Sequence, residues 1–256
     1  YPNDQVWDDD GHWFLGNLAL SQLRPGEQLR LRGRTANEAE LGNVFRTRLA
    51  KAALAKALGD KATDVIHVRI ATGLPVDHMR DSGQVKAALV GQHLIKTDHV
   101  RFIANVTDVM VMPQPYGSLY ANMLMPNGEL NDHYAYRRTG IVDVGTYTVD
   151  VTLDDNGEYI ESESGSAESG VYTAQERISA AIEREYREKP GQRQIEMVLR
   201  SGYLIARGEH IDFRTEVKEA LGPLRSATMS LLSEKWRGGL NVDAIFITGG
   251  GAELVK

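Results

Sequence analysis

With 256 residues, 42% of them hydrophobic and 25% charged, the chain has the length of two ordinary domains and the balance of a globular protein, which excludes a disordered or low-complexity polypeptide. A formal net charge of −6 excludes broad electrostatic gripping of nucleic acid, which wants clustered Lys and Arg, and the absence of cysteine excludes disulfides and thiolate metal sites. No run approaches the ~18 apolar residues of a membrane span and no secretory signal opens the chain, so no membrane contact and a cytoplasmic location are expected.

The chain starts at Tyr1 without an initiator methionine and stops soon after a glycine triplet, so both ends are expected to fall short of the whole protein. Short strands are predicted first, at Trp13-Phe14-Leu15 before Gly16-Asn17 and at Leu29–Leu31. The alternation of Arg30, Arg32 and Arg34 with Leu31 and Gly33 reads as the solvated face of a strand, and Asp8-Asp9-Asp10 as a solvated turn. Thr35 and Glu38 have capping-box spacing ahead of Leu41, Phe45, Leu49, Ala52 and Leu58, which predicts a helix over 36–58 ended by Gly59. Val65–Ala71 predicts a strand running into the turn Thr72-Gly73-Leu74-Pro75, with a helix near 82–96 after it. A strand pair then fills Val100–Val106 and Val109–Met112.

Pro113-Gln114-Pro115 interrupts that pattern and predicts a helix start just beyond. Residues 126–134 are polar and turn-rich. Gly140–Gly145 predicts a buried strand, Thr148–Leu153 a second, and Asp155-Asn156-Gly157 a hairpin turn. The Ser, Glu and Gly-rich residues 161–170 read as a mobile loop. Thr173-x-x-Glu176 predicts a helix cap, with Ile178, Ala181 and Ile182 inward and Lys189-Pro190-Gly191 as the stop. A last helical region spans 214–237, where Gly222-Pro223 should kink or split it. Ala244–Thr248 is a buried strand entering Gly249-Gly250-Gly251. Strands alternating with helices predict an α/β fold with mixed sheets, divided as 1–138 and 139–256.

Three patterns carry chemistry. In Asp143-x-Gly145-Thr146-x-Thr148-x-Asp150, glycine lets the turn aim backbone N–H groups at an anion, Thr146 and Thr148 add hydroxyls, and Asp143 can hold Mg²⁺ through its waters. By itself the pattern is equally a hairpin with two surface aspartates. In Phe246-Ile247-Thr248-Gly249-Gly250-Gly251, a strand feeds backbone bare of side chains, against which a flat ligand such as adenine can lie; glycine triplets are also ordinary loops. Gln114, held between two prolines, can orient an attacking water, an established device in nucleoside triphosphate hydrolysis, or simply face solvent at a helix start. The seven histidines show no metal spacing, and Met110, Met112, Met123 and Met125 suit packing.

In this order, strand–Gln–helix, DxGxxTxD, then strand into GGG, the chain resembles the actin-like ATPases, and among them the ParM/StbA plasmid-segregation proteins and archaeal actin-like homologues. Ala71-Thr72-Gly73-Leu74-Pro75-Val76 and Gly249-Gly250-Gly251-Ala252-Glu253-Leu254 extend the resemblance over nearly the whole chain. It implies a two-domain actin-like (ribonuclease H-like) fold, with the N-terminal phosphate hairpin and the C-terminal helices missing from these residues. It also implies ATP (or GTP) and Mg²⁺ as ligands bound between the domains. Asp143, Gly145, Thr146 and Thr148 fall on the second phosphate loop, with Asp143 as the Mg²⁺-associated aspartate. Gln114 falls on the water-orienting position, with Asp150 helping to order that water. Gly249, Gly250 and Gly251 fall on the adenosine loop, and Glu176 and Arg177 on the helix that passes the ribose. Self-association into filaments is implied, with plasmid DNA segregation or a cytoskeletal role. Any DNA contact is assigned to an adaptor protein, with no direct nucleic acid binding. A small-molecule kinase and a non-catalytic scaffold of the same superfamily are the alternatives, and a heat-shock-type chaperone would need a further domain.

Overall fold

The computed structural model describes residues 5–8, 11–14, 18, 36–59, 64–129, 131, 137–206 and 208–255. The strand expected at Leu29–Leu31, the Arg30–Arg34 alternation, Leu15 and Gly16-Asn17, the Thr35 cap, Asp9 and Asp10, and residues 130 and 132–134 of the polar stretch lie outside the described residues. Two compact units form, one from Tyr1–Thr72 and Arg80–Met112, the other from Gly73–Met79 and Pro113–Lys256. This partition by packing differs from the division by motif order, since residues 113–138 cluster with the second unit.

In the first unit β1 (Gln5–Asp8) and β2 (Gly11–Phe14) pair as a hairpin and are followed by α1 (Ala36–Leu58), β3 (Val65–Leu74), α2 (Ser82–Leu89), β4 (Gly91–Thr97) and β5 (Arg101–Pro113). The strand order among the described residues is β2-β1-β4-β5-β3. Ala55 of α1, fully buried, packs with Val6, Ile95, Phe102 and Ala104, and Leu54 and Leu58 flank it. Leu49 is instead 51% exposed, so the apolar spacing of α1 overstates its buried face.

Two expectations need correction here. The helix near 82–96 stops at Leu89, because Val90 is already extended and Gly91 takes a positive φ of 124°. Residues 91–97 then form β4, which buries Ile95 and Thr97 on one side. The expected strand pair over 100–112 is one strand of 13 residues, β5. Its inside–outside alternation slips at Thr107-Asp108, two consecutive exposed residues, which is why the sequence reads as two pieces.

The second unit contains α3 (Tyr116–Met123), β6 (Arg138–Val144), β7 (Val149–Asp155), β8 (Glu158–Tyr159), β9 (Gly165–Ala167), α4 (Val171–Tyr186), α5 (Gln192–Ser201), β10 (Tyr203–Ala206), β11 (Glu209–Asp212), α6 (Arg214–Trp236), β12 (Ala244–Thr248) and α7 (Ala252–Val255). The sheet runs β12-β6-β7-β8, with β9 also on β7, and β12 is parallel to β6. Val149, Val151 and Leu153 of β7 are fully buried among residues of α4 and α6, each worth roughly 1.5–3 kcal/mol of apolar burial. The opposite side chains of the same strand, Asp150, Thr152 and Asp154, are buried as well, so β7 is enclosed on both faces. Gly140 has no room for a side chain, since a Cβ there would lie 2.6 Å from the buried Trp236 ring.

Asn156 and Gly157 both take positive φ, 55° and 89°, as a two-residue hairpin turn requires. Residues 161–170, expected to be a mobile loop, hold a 3-10 turn and β9. Glu163 accepts from the Arg138 guanidinium and its carbonyl from Trp236 Nε1 at 3.0 Å, which pins the segment to the sheet. Helix α4 begins at Val171 after Gly170, so Thr173 lies inside it and is not its cap. Helix α6 runs unbroken from Arg214 to Trp236 through Pro223, where a split or kink was expected. Helix α5 and the β10–β11 hairpin were not anticipated.

Candidate functional site

Because β6 and β12 are parallel neighbours, the chain leaves both at the same end of the sheet, with Thr248 beside Asp143 in register. Ligands of open α/β sheets gather at such carboxyl ends. Gly249 follows with φ 89°, and a Cβ on it would lie 2.3 Å from Asp143 Oδ1 and 2.5 Å from the Val144 carbonyl. Gly251 donates its N–H to that carbonyl at 2.9 Å, and a Cβ there would lie 2.4 Å from Val171. The two glycines thus fold the loop onto the Asp143 turn, while at Gly250 a Cβ would meet nothing within 4 Å.

The turn itself is closed by the Gly145 N–H donating to the Thr148 carbonyl at 2.9 Å. The first amides of α4 hold it from behind: Val171 N–H donates to the Gly145 carbonyl at 3.1 Å and Tyr172 N–H to the Thr146 carbonyl at 2.8 Å. Gly170 permits this approach, since a Cβ there would lie 2.3 Å from the Thr146 oxygen. In a trans peptide the N–H points opposite to the C=O. The Thr146 and Tyr147 N–H groups therefore point away from the helix start, and no acceptor among the described residues takes either of them. Consecutive amides so arranged make an anion-binding concavity, polarised by the helix N-terminus behind it.

Asp143 and Asp150 face each other across β6 and β7 but stand in different surroundings. Asp150 is 3% exposed and accepts from Thr148 Oγ1 at 2.8 Å, from Ser166 Oγ, and from the Val76 N–H at 3.4 Å. Half-buried Asp143 receives no hydrogen bond to its carboxylate among the described residues. Burial first, and the Asp150 charge second, push its carboxyl above the usual 3.8. An uncompensated carboxylate of this kind calls for a cation. As a single protein carboxylate it suits Mg²⁺, which keeps most of its waters.

Gln114 is exposed at the entrance to α3. Its N–H donates to the Leu74 carbonyl at 2.8 Å, and a Cβ on Gly73 would lie 2.8 Å from its Cγ, so Gly73-Leu74, where β3 continues through the residues expected to turn, is the seat of the Gln114 backbone. Two side-chain bonds hold α3 across β6. Tyr116 donates its hydroxyl to Asp154 on β7 at 2.9 Å, and Ser118 shares a hydrogen bond with Thr248 on β12 at 2.7 Å. Burial and the Asp154 charge hold the Tyr116 hydroxyl far above its ordinary range. Glu176 and Arg177 are exposed on α4, and Arg177 Nη1 reaches the Glu219 carbonyl of α6 at 3.5 Å. Sequence reasoning did not single out Tyr116, Ser118, Ser166 or Gly170. Their partners lie up to 130 residues away, and no local pattern marks them.

Residues 2–117 match the family described as "Actin like proteins N terminal domain", and residues 141–256 match "Archaeal actin homologue MreB-like, C-terminal". The chain belongs to the actin-like proteins. Solved structures share its fold. The apo psk41 ParM protein aligns with a TM-score of 0.67 and 20% identity over 98% of this chain and 72% of that one. The archaeal actin homologue Ta0583, in complex with ADP, gives 0.66 and 17% over 98% and 78%. The 15-stranded ParM filament from Clostridium botulinum gives 0.64 and 20% over 98% and 75%. Curated protein sequences give no match. The actin-like chain accordingly has the two-domain α/β fold with mixed sheets that its motif order implied. Among the described residues no helix is long and apolar enough to cross a membrane.

Proposed function

We propose that this actin-like chain binds ATP (or GTP) with Mg²⁺ at the carboxyl ends of β6 and β12, hydrolyses it, and uses nucleotide state to control head-to-tail polymerisation. The observation that carries the reading is a half-buried Asp143 carboxylate without a donor beside the outward N–H groups of Thr146 and Tyr147. Amides attract an anion and the carboxylate a cation, and a nucleotide phosphate with its divalent ion is both. Asp143 would hold the Mg²⁺ through water, and the ion would supply charge neutralisation on the phosphate oxygens. Gly249, Gly250 and Gly251 offer bare main chain to the nucleoside, Gly145 and Thr146 cradle phosphate, and Thr148 and Asp150 brace the turn from beneath. Gln114, anchored through its backbone with its amide exposed, orients the water that attacks the terminal phosphorus as the bond to the bridging oxygen breaks.

The structure of Ta0583 with ADP and the Clostridium botulinum ParM filament support the same reading by analogy of fold. A head-to-tail contact that does not close on itself propagates a filament. With a net charge of −6, an adaptor makes any DNA contact, including one to a plasmid. Sedimentation of the protein in Mg²⁺ with ATP, with ADP and without nucleotide tests the proposal. Pelleting that rises with ATP and falls as ADP accumulates is expected; equal pelleting in all three overturns it.

A further inference from the structure

Ser118 lies four residues beyond Gln114 on α3, one helical turn away, and Thr248 is the last residue before the glycine loop. Their hydroxyls meet at 2.7 Å, part-buried, and among the described residues each hydroxyl has the other as its hydrogen-bond partner. Thr248 is also the register neighbour of Asp143, and Gly249 is folded directly onto that carboxylate. One short path therefore joins the loop beside Asp143 to the helix that starts after Gln114. The second attachment of α3, Tyr116 to Asp154, is buried and lies toward β8, away from this loop.

We infer that Ser118 is a positioning residue that makes the Gln114 segment sense occupancy of the glycine loop. This rests on the nucleotide reading above and adds to it a route by which binding at one end of the ligand governs hydrolysis at the other. When Gly249–Gly251 close on a ligand, Thr248 is held in place. Through the hydroxyl pair so is the first turn of α3, and with it the direction of the Gln114 side chain. A loop less firmly held weakens the Ser118 attachment, leaving that turn to Tyr116 and to the Gln114 amide on the Leu74 carbonyl, and the Gln114 side chain is then less closely directed.

The test uses the full chain with Mg·ATP, reading turnover by phosphate release and affinity by fluorescent ATP titration. Ser118→Ala and Thr248→Val should each lower kcat about five- to tenfold while Kd changes less than about twofold, the worth of one hydrogen bond acting on the chemical step. The double variant should be no slower than the slower single, and Ser118→Thr should restore the rate. In the unaltered chain, Mg·ADP should slow hydrogen exchange at the α3 amides of Tyr120–Met123. Losses that multiply in the double variant, Kd weakening in step with kcat, or α3 exchange indifferent to Mg·ADP overturn the coupling while leaving the ATPase reading intact. An unaltered chain that binds no Mg·ATP overturns both.

Discussion

Arg177 donates to the carbonyl of Glu219 at 3.5 Å, and Glu219 is the residue whose carbonyl Pro223 cannot serve. Within a helix the amide of residue 223 would bond the carbonyl of 219, and proline has no amide. The guanidinium offers a substitute for the missing donor, while the burial of Ala220, Leu221 and Leu224 on either side of Gly222-Pro223 packs α6 in place through it. Arg177→Ala should therefore cost about 0.5–1 kcal/mol in urea unfolding, and close to nothing in a Pro223→Ala background where the backbone donor is restored. Equal costs in both backgrounds would assign Arg177 another role, the ribose contact among them.

Gly249→Ala meets two obstacles, a positive φ of 89° and a methyl placed 2.3 Å from Asp143 Oδ1. The loop has to move off the carboxylate. We expect a stability loss of about 1–3 kcal/mol and a loss of Mg·ATP binding, read by thermal unfolding and titration. Gly250→Ala, in open space, should retain most of both.

Asp143→Asn should make the ligand-free protein more stable at pH 7 while removing Mg²⁺-dependent nucleotide binding. The folded carboxyl titrates above 3.8 because of burial and Asp150, so the native state holds its proton more tightly than the unfolded chain. The native protein consequently loses stability as pH rises from the unfolded value through the folded one, and Asn escapes that loss. The advantage of the variant should vanish below about pH 4, where both states are protonated. Thermal unfolding between pH 3.5 and 7.5, without divalent ions, reads the crossing.

Gln114→Ala should slow hydrolysis by about 10- to 100-fold with nucleotide affinity nearly unchanged, the signature of a group that orients the attacking water. Phosphate release and equilibrium titration separate the two quantities. Parallel loss of both would give Gln114 a purely architectural role at the start of α3.

Elements announced by glycine placement and hydrophobic runs were legible in the sequence. The strand before Gly145, the helix over 36–58 and the Asp155-Asn156-Gly157 hairpin fall as expected, because each is decided by neighbours in the chain. Ala244–Thr248 forms its strand but not the buried one expected, since it lies at the sheet edge among the described residues with Ile245 and Ile247 exposed. Misreadings arose where a distant partner decides. Residues 161–170 look like a polar loop until Arg138 and Trp236 are placed against Glu163, and Pro223 looks like a breaker until its flanking residues are buried and Arg177 arrives from α4. Thr173 has the spacing of a cap, but Gly170 alone allows α4 to start beneath the Thr146 carbonyl. The turn residues Gly145 to Thr148 were visible as a motif. The bonds that aim their amides outward come from Val171 and Tyr172, which carry no distinguishing side chain for that task.

The double enclosure of β7 also constrains how this protein can change. Moving the strand along by a single position would drive Asp150 and Asp154 into hydrocarbon and turn Val151 and Leu153 toward the carboxylate side. Insertions and deletions within 149–155 are thus barred in odd numbers, whereas the Asn156-Gly157 tip is exposed and can lengthen. Lineages of this chain should accordingly differ in length at that tip and keep a fixed count between Gly145 and Asp155.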